Sequence, residues 1–318
     1  MTDVIYAAAG SVALIFLVFT VAAYAILAER RVIARMQVRL GPDRVGPFGM
    51  FQPLADVVKL LTKEDIRPTG ADKWIYLVTP VVTLVPVMLV FAVIPLGPTL
   101  RLADLNIGYL WVAAISSISV YGVVLGGWSS NSKYSLLGGL RSSAQLISYE
   151  LAQGLAALGV IAAAGSLSLG RIAEAQFPLP FAIVQPIGFV VYFIASVAES
   201  SRAPFDLPEA EQELGAGYHT EYSGFRFALF MLSEYVHVIA ASSLMAVLFL
   251  GGWWPFDGGP LGLAAFAVKV VAAIFVFIWL RATLPRVRYD RLMAIGWKVL
   301  IPAALINLAI VAAWVALT

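Results

Sequence analysis

The apolar runs of this chain constrain its fold more than any other feature. Eight segments of about 20 residues carry few charges, and each is long enough to cross the hydrocarbon core of a bilayer as an α-helix. A mean hydropathy of +0.88 and a charged fraction of 13% exclude a water-soluble globular domain. We therefore predict an all-α integral membrane protein built as a bundle of eight transmembrane helices.

The predicted spans and the segments between them follow from hydropathy. The spans cover about residues 4–28, 74–95, 107–128, 144–164, 181–198, 227–250, 263–284 and 297–317. A shorter segment at about 51–63 repeats apolar side chains at three- and four-residue steps. It is too polar to span, which predicts an amphipathic helix lying at the membrane interface or against a neighbouring protein. No internal repeat or soluble domain is visible, so residues 1–318 are expected to form a single membrane domain.

Basic residues predict the orientation of the protein. Eighteen of the 21 Lys and Arg residues follow odd-numbered spans, and the exceptions are Arg101, Arg171 and Lys269. By the positive-inside rule, these basic connections and the amphipathic helix are expected on the cytoplasmic side. An even number of spans then places both termini on the opposite side of the membrane.

An acidic segment separates the fifth and sixth spans. Residues 199–226 hold six of the 19 acids of the sequence, and Pro204 and Pro208 prevent a continuous helix through the first half of this loop. Carboxylates beside a membrane are costly unless they line water, pair with cations or take up protons. The segment is therefore either a solvated loop without a role or a functional element.

Three glutamates are placed within or at the end of predicted spans. Glu150 and Glu234 fall about two turns into the fourth and sixth spans, and Glu199 closes the fifth. An ionised carboxylate at the centre of a span costs ~2.5–3.5 kcal/mol even on the scale that gives the smallest cost, so such residues usually face the bundle interior and mark an ion or proton path. Neighbouring buried carboxyls also titrate as a group. The competing interpretation is a structural hydrogen bond to a nearby hydroxyl or amide.

Redox ligands are scarce in the sequence. It contains no cysteine, and its two histidines are His219 in the acidic loop and His237 in the sixth span. Disulfides and cysteine-ligated clusters are thus excluded, and we expect the protein to bind no redox cofactor of its own. Lys269 is the one basic residue deep in a predicted span. It either pairs with a local backbone carbonyl or belongs to the polar path.

Three long motifs resemble a known family. They occupy residues 29–47 (ERRVIARMQVRLGPDRVGP), 52–64 (QPLADVVKLLTKE) and 198–224 (AESSRAPFDLPEAEQELGAGYHTEYSG). In this order they closely resemble the quinone-site membrane subunit of NADH:quinone oxidoreductase, respiratory complex I, which is equivalent to NADH dehydrogenase subunit 1 of mitochondria. The resemblance covers essentially the whole sequence. Subunits of coenzyme F420 dehydrogenases and membrane-bound hydrogenases are similar more loosely.

The resemblance implies a function in a multisubunit enzyme of the bacterial inner membrane. Quinone, the substrate, would enter from the bilayer between the first helix and the amphipathic helix. It would be reduced by an iron–sulfur cluster in a partner subunit, and FMN and the other clusters would also lie in partners. The expected partners are the peripheral-arm subunits and the antiporter-like membrane subunits, and the coupled process is proton translocation.

The resemblance also assigns roles to residues at matching positions. It implies a proton relay formed by Glu150, Glu199, Asp206, Glu209, Glu211, Glu213 and Glu234. It implies a quinone chamber lined or shaped by Arg31, Arg35, Arg39, Asp56, Arg202 and Phe205. One departure is that Ser200 and Ser201 stand where many members have Thr-Asn or Ser-Asn.

Three other interpretations remain open on sequence alone. A stand-alone secondary transporter would explain buried acids and kinked helices, although it predicts an internal repeat. A ferredoxin-, F420- or hydrogenase-linked relative would use no quinone. A passive membrane anchor would use its acids only to hold the structure together.

Overall fold

The fold is helical throughout the part of the chain that can be described. A computed structural model describes residues 2–98, 100–206, 215, 217–256 and 259–317, and it describes the side chains of the first helix from residue 8 on. Within these ranges no residue lies in a β-strand. The predicted all-α fold class is confirmed. Glu209, Glu211 and Glu213 of the acidic loop lie outside the described residues.

The helices are numbered here in chain order. They are α1 (Thr2–Met36), α2 (Gln52–Thr62), α3 (Lys73–Val90), α4 (Gly108–Ser129), α5 (Lys133–Ala164), α6 (Leu169–Glu174), α7 (Phe181–Val184), α8 (Pro186–Glu199), α9 (Gly224–Phe249), α10 (Gly259–Thr283) and α11 (Tyr289–Leu317). Helix α11 contains a π-helical turn at Gly296–Leu300, and short 3₁₀ turns lie at Pro47–Gly49 and Gly217–His219.

Seven helices of the described ranges are long and apolar enough to cross a membrane, whereas the sequence predicts eight. They are α1, α3, α4, α5, α9, α10 and α11. The exception is the predicted fifth span, which is divided into α7 and α8. Pro186 disfavours a helical backbone at the preceding Gln185, which has φ −128° and ψ 63°. The 14 residues of α8 therefore extend only about 21 Å, less than the ~30 Å of a bilayer core.

Several helices extend beyond the predicted spans. Helix α1 continues to Met36, past the predicted end at 28, and α5 begins at Lys133 instead of about 144. Helix α11 begins at Tyr289 instead of about 297. Hydropathy identifies the apolar part of a helix, but Arg, Lys and Leu are also good helix formers, so the helical backbone continues where the sequence becomes polar. The short helix α6 lies in a connection for which no element was predicted.

Helix α9 is the most enclosed of the long helices. In its most apolar window 83% of the residues are buried, against 17% in α1. Helices α1, α2, α3 and α10 all pack against it, while α5 packs against α4, α8 and α11. Because α9 packs against most of the other helices, side chains on its different faces contact different helices.

Lys269 closes the end of α9 from the neighbouring helix α10. Its ammonium donates hydrogen bonds to the backbone carbonyls of Leu250 at 2.6 Å, Gly252 at 2.9 Å and Trp254 at 2.6 Å. These carbonyls lie beyond the last turn of α9, where they lack partners within the helix. The geometry agrees with the interpretation of Lys269 as a partner of local carbonyls, and Lys269 lies outside the cavities described below.

Close backbone contact between α5 and the 217–219 turn generates a test of the packing. A Cβ on Gly138 would lie 2.7 Å from the Cα of Gly217 and 2.8 Å from the backbone nitrogen of Tyr218. We expect Gly138→Ala to lower the free energy of unfolding by ~1–3 kcal/mol because both obstructing atoms are backbone. The measurement is the thermal unfolding midpoint of the purified complex containing this protein.

The matched control is Gly154→Ala on the same helix. A Cβ there meets no atom within 4 Å. The control should leave the midpoint unchanged or raise it, because alanine favours a helix over glycine by about 1 kcal/mol. Equal midpoints for the two variants would contradict the close packing at Gly138.

Candidate functional site

Two cavities that are lined by glutamates lie side by side among the helices. The first, called here the Glu150 cavity, has an empty volume of about 560 Å³ and is bordered by α3, α4, α5, α8 and α9. Glu150 of α5 and Glu199 of α8 both line it. The hydroxyl of Ser117 on α4 donates a hydrogen bond to the Glu150 carboxylate. The carboxyl groups of Glu150 and Glu199 thus face the bundle interior, and Ser117 supplies a hydrogen-bond donor to Glu150.

The second cavity contains the third glutamate. This Glu234 cavity has an empty volume of about 440 Å³ and is lined by Glu234, Glu199 and the hydroxyl-bearing Ser142 and Ser233. The hydroxyl of Tyr218 donates to Glu234 Oε1 at 3.3 Å. Tyr218 itself is held by α5, because Ser135 donates to its carbonyl at 2.8 Å. The predicted relay residues Glu150, Glu199 and Glu234 are therefore brought together around two neighbouring cavities.

Glu199 and His237 form the common wall of the two cavities. Both line the Glu150 cavity and the Glu234 cavity. His237 Nε2 lies 3.5 Å from Glu199 Oε1, and the two side chains are only 15% and 9% exposed. The sequence reasoning did not include His237 among the site residues. Its spacing of three residues from Glu234 was an available signal, since such residues share one face of a helix.

Arg202, a predicted chamber residue, belongs to a buried cluster of charges. Its guanidinium lies 3.4 Å from Glu29 Oε2 and 4.2 Å from the ring centre of Tyr235. Arg281 of α10 donates to the other carboxylate oxygen of Glu29. Glu29 and Arg281 were not predicted. We call Glu29, Arg202, Tyr235 and Arg281 the arginine cluster.

Phe205 and Asp206 lie on the segment that leaves α8. The Phe205 ring is buried and packs 5.8 Å from that of Tyr149, and its carbonyl accepts a hydrogen bond from Gln145 Nε2 at 2.8 Å. Asp206 Oδ2 lies 3.5 Å from the guanidinium of Arg286. These contacts fix the start of the acidic loop against α5 and against the connection between α10 and α11.

An apolar cleft lies on the opposite side of α9. It has an empty volume of about 1080 Å³ and is enclosed by α1, α2 and α9. Apolar side chains form most of its wall, and they are Phe19, Ala23, Ile26, Leu27, Pro53, Val57, Leu60, Leu61, Phe225, Ala228, Leu229, Met231 and Leu232. We call it the α1–α2 cleft.

The α1–α2 cleft contains one strong ion pair. Asp56 Oδ2 lies 2.7 Å from Arg30, and Gln52 donates to Asp56 Oδ1 at 3.2 Å. Partial burial acts to raise the pKa of Asp56, but the Arg30 guanidinium and the other donors outweigh it and lower the pKa below its ordinary value. Asp56 is thus held ionised at one side of an apolar space. Arg30, its partner, was not among the predicted residues.

The three remaining predicted arginines do not line this cleft. Arg31 Nε donates to the carbonyl of Pro42 at 3.4 Å, which ties the end of α1 to the following loop. Arg39 is exposed and donates to Gln37, and Arg35 is exposed. The predicted chamber residues are therefore divided between the arginine cluster, the α1–α2 cleft and an exposed basic surface. In the described ranges, no group of three or more acids and histidines is arranged to hold a metal ion.

Comparisons with known proteins agree with the resemblance found in the motifs. The family model described as NADH dehydrogenase matches residues 9–312. The H subunit of NADH-quinone oxidoreductase from Syntrophotalea carbinolica is 53% identical over 308 residues, which cover 93% of this sequence and 92% of that protein. The H subunit numbered 1 in Geobacter metallireducens is 53% identical over 321 residues (96% and 95%). The H subunit from Bacillus cereus is 52% identical over 305 residues (95% and 92%).

The arginine cluster generates a stability prediction. Glu29→Gln removes the carboxylate that lies between Arg202 and Arg281, whose guanidinium groups then repel each other without compensation. Breaking a buried pair in this way typically costs ~3–5 kcal/mol, so we expect a clear fall in the thermal unfolding midpoint of the purified complex.

The control is an exposed ion pair of the same kind. Asp290 lies 3.3 Å from Arg288, with side chains 66% and 83% exposed. Asp290→Asn should change the stability by less than ~1 kcal/mol, because solvent screens such pairs. Similar midpoints for Glu29→Gln and Asp290→Asn would show that the cluster does not stabilise the fold.

Proposed function

Because this protein belongs to the NADH dehydrogenase subunit 1 family, the H subunits of NADH-quinone oxidoreductase, we propose that it forms the quinone entrance and part of the quinone chamber, and that it couples quinone reduction to proton translocation. It is a multi-pass membrane subunit of this enzyme complex, respiratory complex I. The observation that carries the proposed coupling is the placement of three partly buried glutamates around two cavities with a shared wall.

The α1–α2 cleft supports the proposed entrance. Its wall is apolar, as a polyprenyl tail requires, and the space of about 330 Å³ that it leaves for a ligand is of the size that small-molecule sites have. The Asp56–Arg30 pair supplies polar groups to one part of the wall, where a quinone head group can form hydrogen bonds. Helices α1 and α2 thereby provide both surfaces that an amphipathic substrate needs.

The buried glutamates support the proposed relay. A carboxyl group away from water tends to hold its proton, and a negative charge that arrives nearby strengthens this tendency. When several such groups are close together, the proton on one depends on the charge of the next. Glu234, Glu199 and Glu150 can in this way pass protons along the bundle when the quinone is reduced. Typical coupling free energies between sites are ~1–3 kcal/mol.

The acidic loop is the proposed link between the chamber and the relay. Asp206 stands at its start beside Arg286, and Glu209, Glu211 and Glu213 continue it beyond the described residues. Arg202 of the arginine cluster lies four residues before Asp206 in the sequence, and the cluster offers positive charge to an anionic quinone. Reduction would then be sensed first by the arginines and the loop acids and afterwards by the buried glutamates.

The proposed setting follows from the same assignment. With the broken helix α7–α8 taken as the fifth span, the total is eight. Both termini would then lie on the outer side of the bacterial inner membrane, and the loops rich in Lys and Arg would lie in the cytoplasm. The peripheral-arm subunits, with FMN and iron–sulfur clusters, would dock on the cytoplasmic side. The antiporter-like membrane subunits would receive the protonation signal within the bilayer.

The relay is tested with Glu234→Gln in the assembled complex. Glutamine keeps the size and hydrogen-bonding capacity of glutamate but cannot release a proton. We expect assembly to survive and coupled turnover and proton pumping to fall at least tenfold, since positioned acid–base groups contribute ~10²–10⁴-fold. Pumping is measured in vesicles, and assembly by electron transfer from NADH to an artificial acceptor.

Glu174→Gln on α6 is the control for this test. Glu174 is exposed and lines neither cavity. It should leave pumping unchanged. Full pumping by Glu234→Gln would count against a relay through this residue.

The entrance is tested with Ala228→Trp, which fills the α1–α2 cleft from the α9 side. We expect the KM for a long-tailed quinone to rise severalfold, because the tail must occupy this space, while electron transfer to the artificial acceptor stays constant. A short-tailed quinone should be affected less. Ala309→Trp, exposed on α11 and outside the cleft, is the control. Unchanged kinetics for both quinones with Ala228→Trp would exclude this route.

A further inference from the structure

We propose that His237 is a proton-carrying member of the relay, placed between the Glu234 cavity and the Glu150 cavity. The proposal rests on the proposed relay and adds to it a group that is not a carboxyl. Three observations carry it: the position of the imidazole, the charges around it and the reaction that its contact with Glu199 permits.

The position of His237 is at the contact between the two cavities. Three residues line both, and they are Val87, Glu199 and His237. Val87 cannot exchange a proton, so Glu199 and His237 are the residues common to both linings that can. Glu234 precedes His237 by one helical turn on the same face of α9. The imidazole is thus next to one relay residue in space and one turn from another.

The titratable side chains around His237 are all acidic or phenolic. The titratable side chains that line the two cavities come from each surrounding element: Glu199 and Tyr192 from α8, Glu150 from α5, Tyr109 from α4, Tyr218 from the 217–219 turn and Glu234 from α9 itself. Among the described residues that line either cavity there is no Lys or Arg. The imidazole is therefore the one side chain there that can become a cation.

A protonated His237 would offset the repulsion between ionised carboxyl groups in the two cavities. Several carboxyl groups in a shared apolar environment cannot all ionise, because each charge opposes the next. If the imidazole holds a proton, the carboxylate beside it is stabilised, and the pair as a whole remains neutral. The relay can then release a proton from a carboxyl without leaving an isolated buried charge.

The transfer itself is a simple exchange of bonds. Protonated Glu199 gives its proton to Nε2: the O–H bond breaks, the N–H bond forms, and a carboxylate remains beside an imidazolium. The imidazolium then loses a proton to a carboxylate of either cavity, Glu150 or Glu234, where a new O–H bond forms. The imidazole returns to its neutral form, and the step involves no oxidation or reduction.

The experiment uses His237→Gln in the assembled complex, reconstituted in vesicles. Glutamine can still donate a hydrogen bond to Glu199, but it cannot bind a proton. We expect coupled turnover and pumping to fall on the order of tenfold and the pH profile of turnover to change shape, since a titrating group has been removed. His237→Asn, which is smaller, should give the same result, and electron transfer from NADH to the artificial acceptor reports assembly.

The other histidine supplies the matched control. His219 is buried and packs against the rings of Tyr218 and Phe227 at 4.9 and 5.4 Å, and it lines neither cavity. His219→Gln should keep the wild-type pH profile. If a histidine replacement acted only through packing, His219→Gln and His237→Gln would lower the rate equally at every pH, and this result would overturn the proposal.

Two further outcomes separate this inference from the proposed function. If Glu199→Gln and Glu234→Gln reduce pumping while both His237 variants retain the wild-type rate and pH profile, the relay stands and the role of His237 is overturned. If the two glutamate variants pump normally, the relay itself is overturned, and the role of His237 with it.

Discussion

The cost of placing charge inside an apolar bundle is the constraint on which this structure depends. The buried charged and titratable groups meet it by pairing. Glu29 lies between two arginines, Glu199 contacts His237, and Lys269 donates to three backbone carbonyls. Each contact gives the charged group a nearby partner, and the partners come from different segments of the protein. The pairs therefore also determine which helices must lie together, so the same contacts that make the charges tolerable hold the bundle in register.

The pattern of helices could be predicted from the sequence to a large extent, because hydropathy and length determine which segments cross a membrane. The division of α7 from α8 follows from Pro186, although a hydropathy window passes over it. The extended start of α5 could not be found in this way, since a polar helix outside the hydrocarbon has no hydropathy signal. In the site, buried glutamates were identifiable because a carboxyl in an apolar run is rare. Arg30 and Glu29 were missed because their contacts are with residues that are distant in the sequence. The contact of His237 with Glu199 is also distant in the sequence, although its spacing from Glu234 was a signal that sequence could have supplied.

A glycine on α5 allows the close packing that brings Tyr218 to Glu234. At Gly138 the helix α5 approaches the backbone of the 217–219 turn, and this places Tyr218 next to Glu234. A glycine in the interior of a helix costs about 1 kcal/mol relative to alanine, so its presence calls for a compensating contact. The compensating contact here is the close approach of the Gly138 and Gly217 backbones, which a side chain at position 138 would prevent. The sequence contains Gly138, but the partner that it admits, Gly217, is distant in the sequence and becomes visible as a neighbour only in three dimensions.

Helix α9 connects the three regions that the proposed function requires. One of its faces carries Ala228 and Leu232 into the α1–α2 cleft, a second carries Glu234 and His237 into the Glu234 cavity, and a third carries Tyr235 onto Arg202. With 3.6 residues per turn, three adjacent faces of one helix are separated by only a few residues. A substrate in the cleft and a proton in the cavities would thus act on opposite sides of a single, almost fully enclosed element. A rigid helix can carry energetic coupling between its faces when it has two discrete arrangements. Under the proposed function, coupling across α9 would need no long series of intermediates, because the regions that must communicate share one backbone.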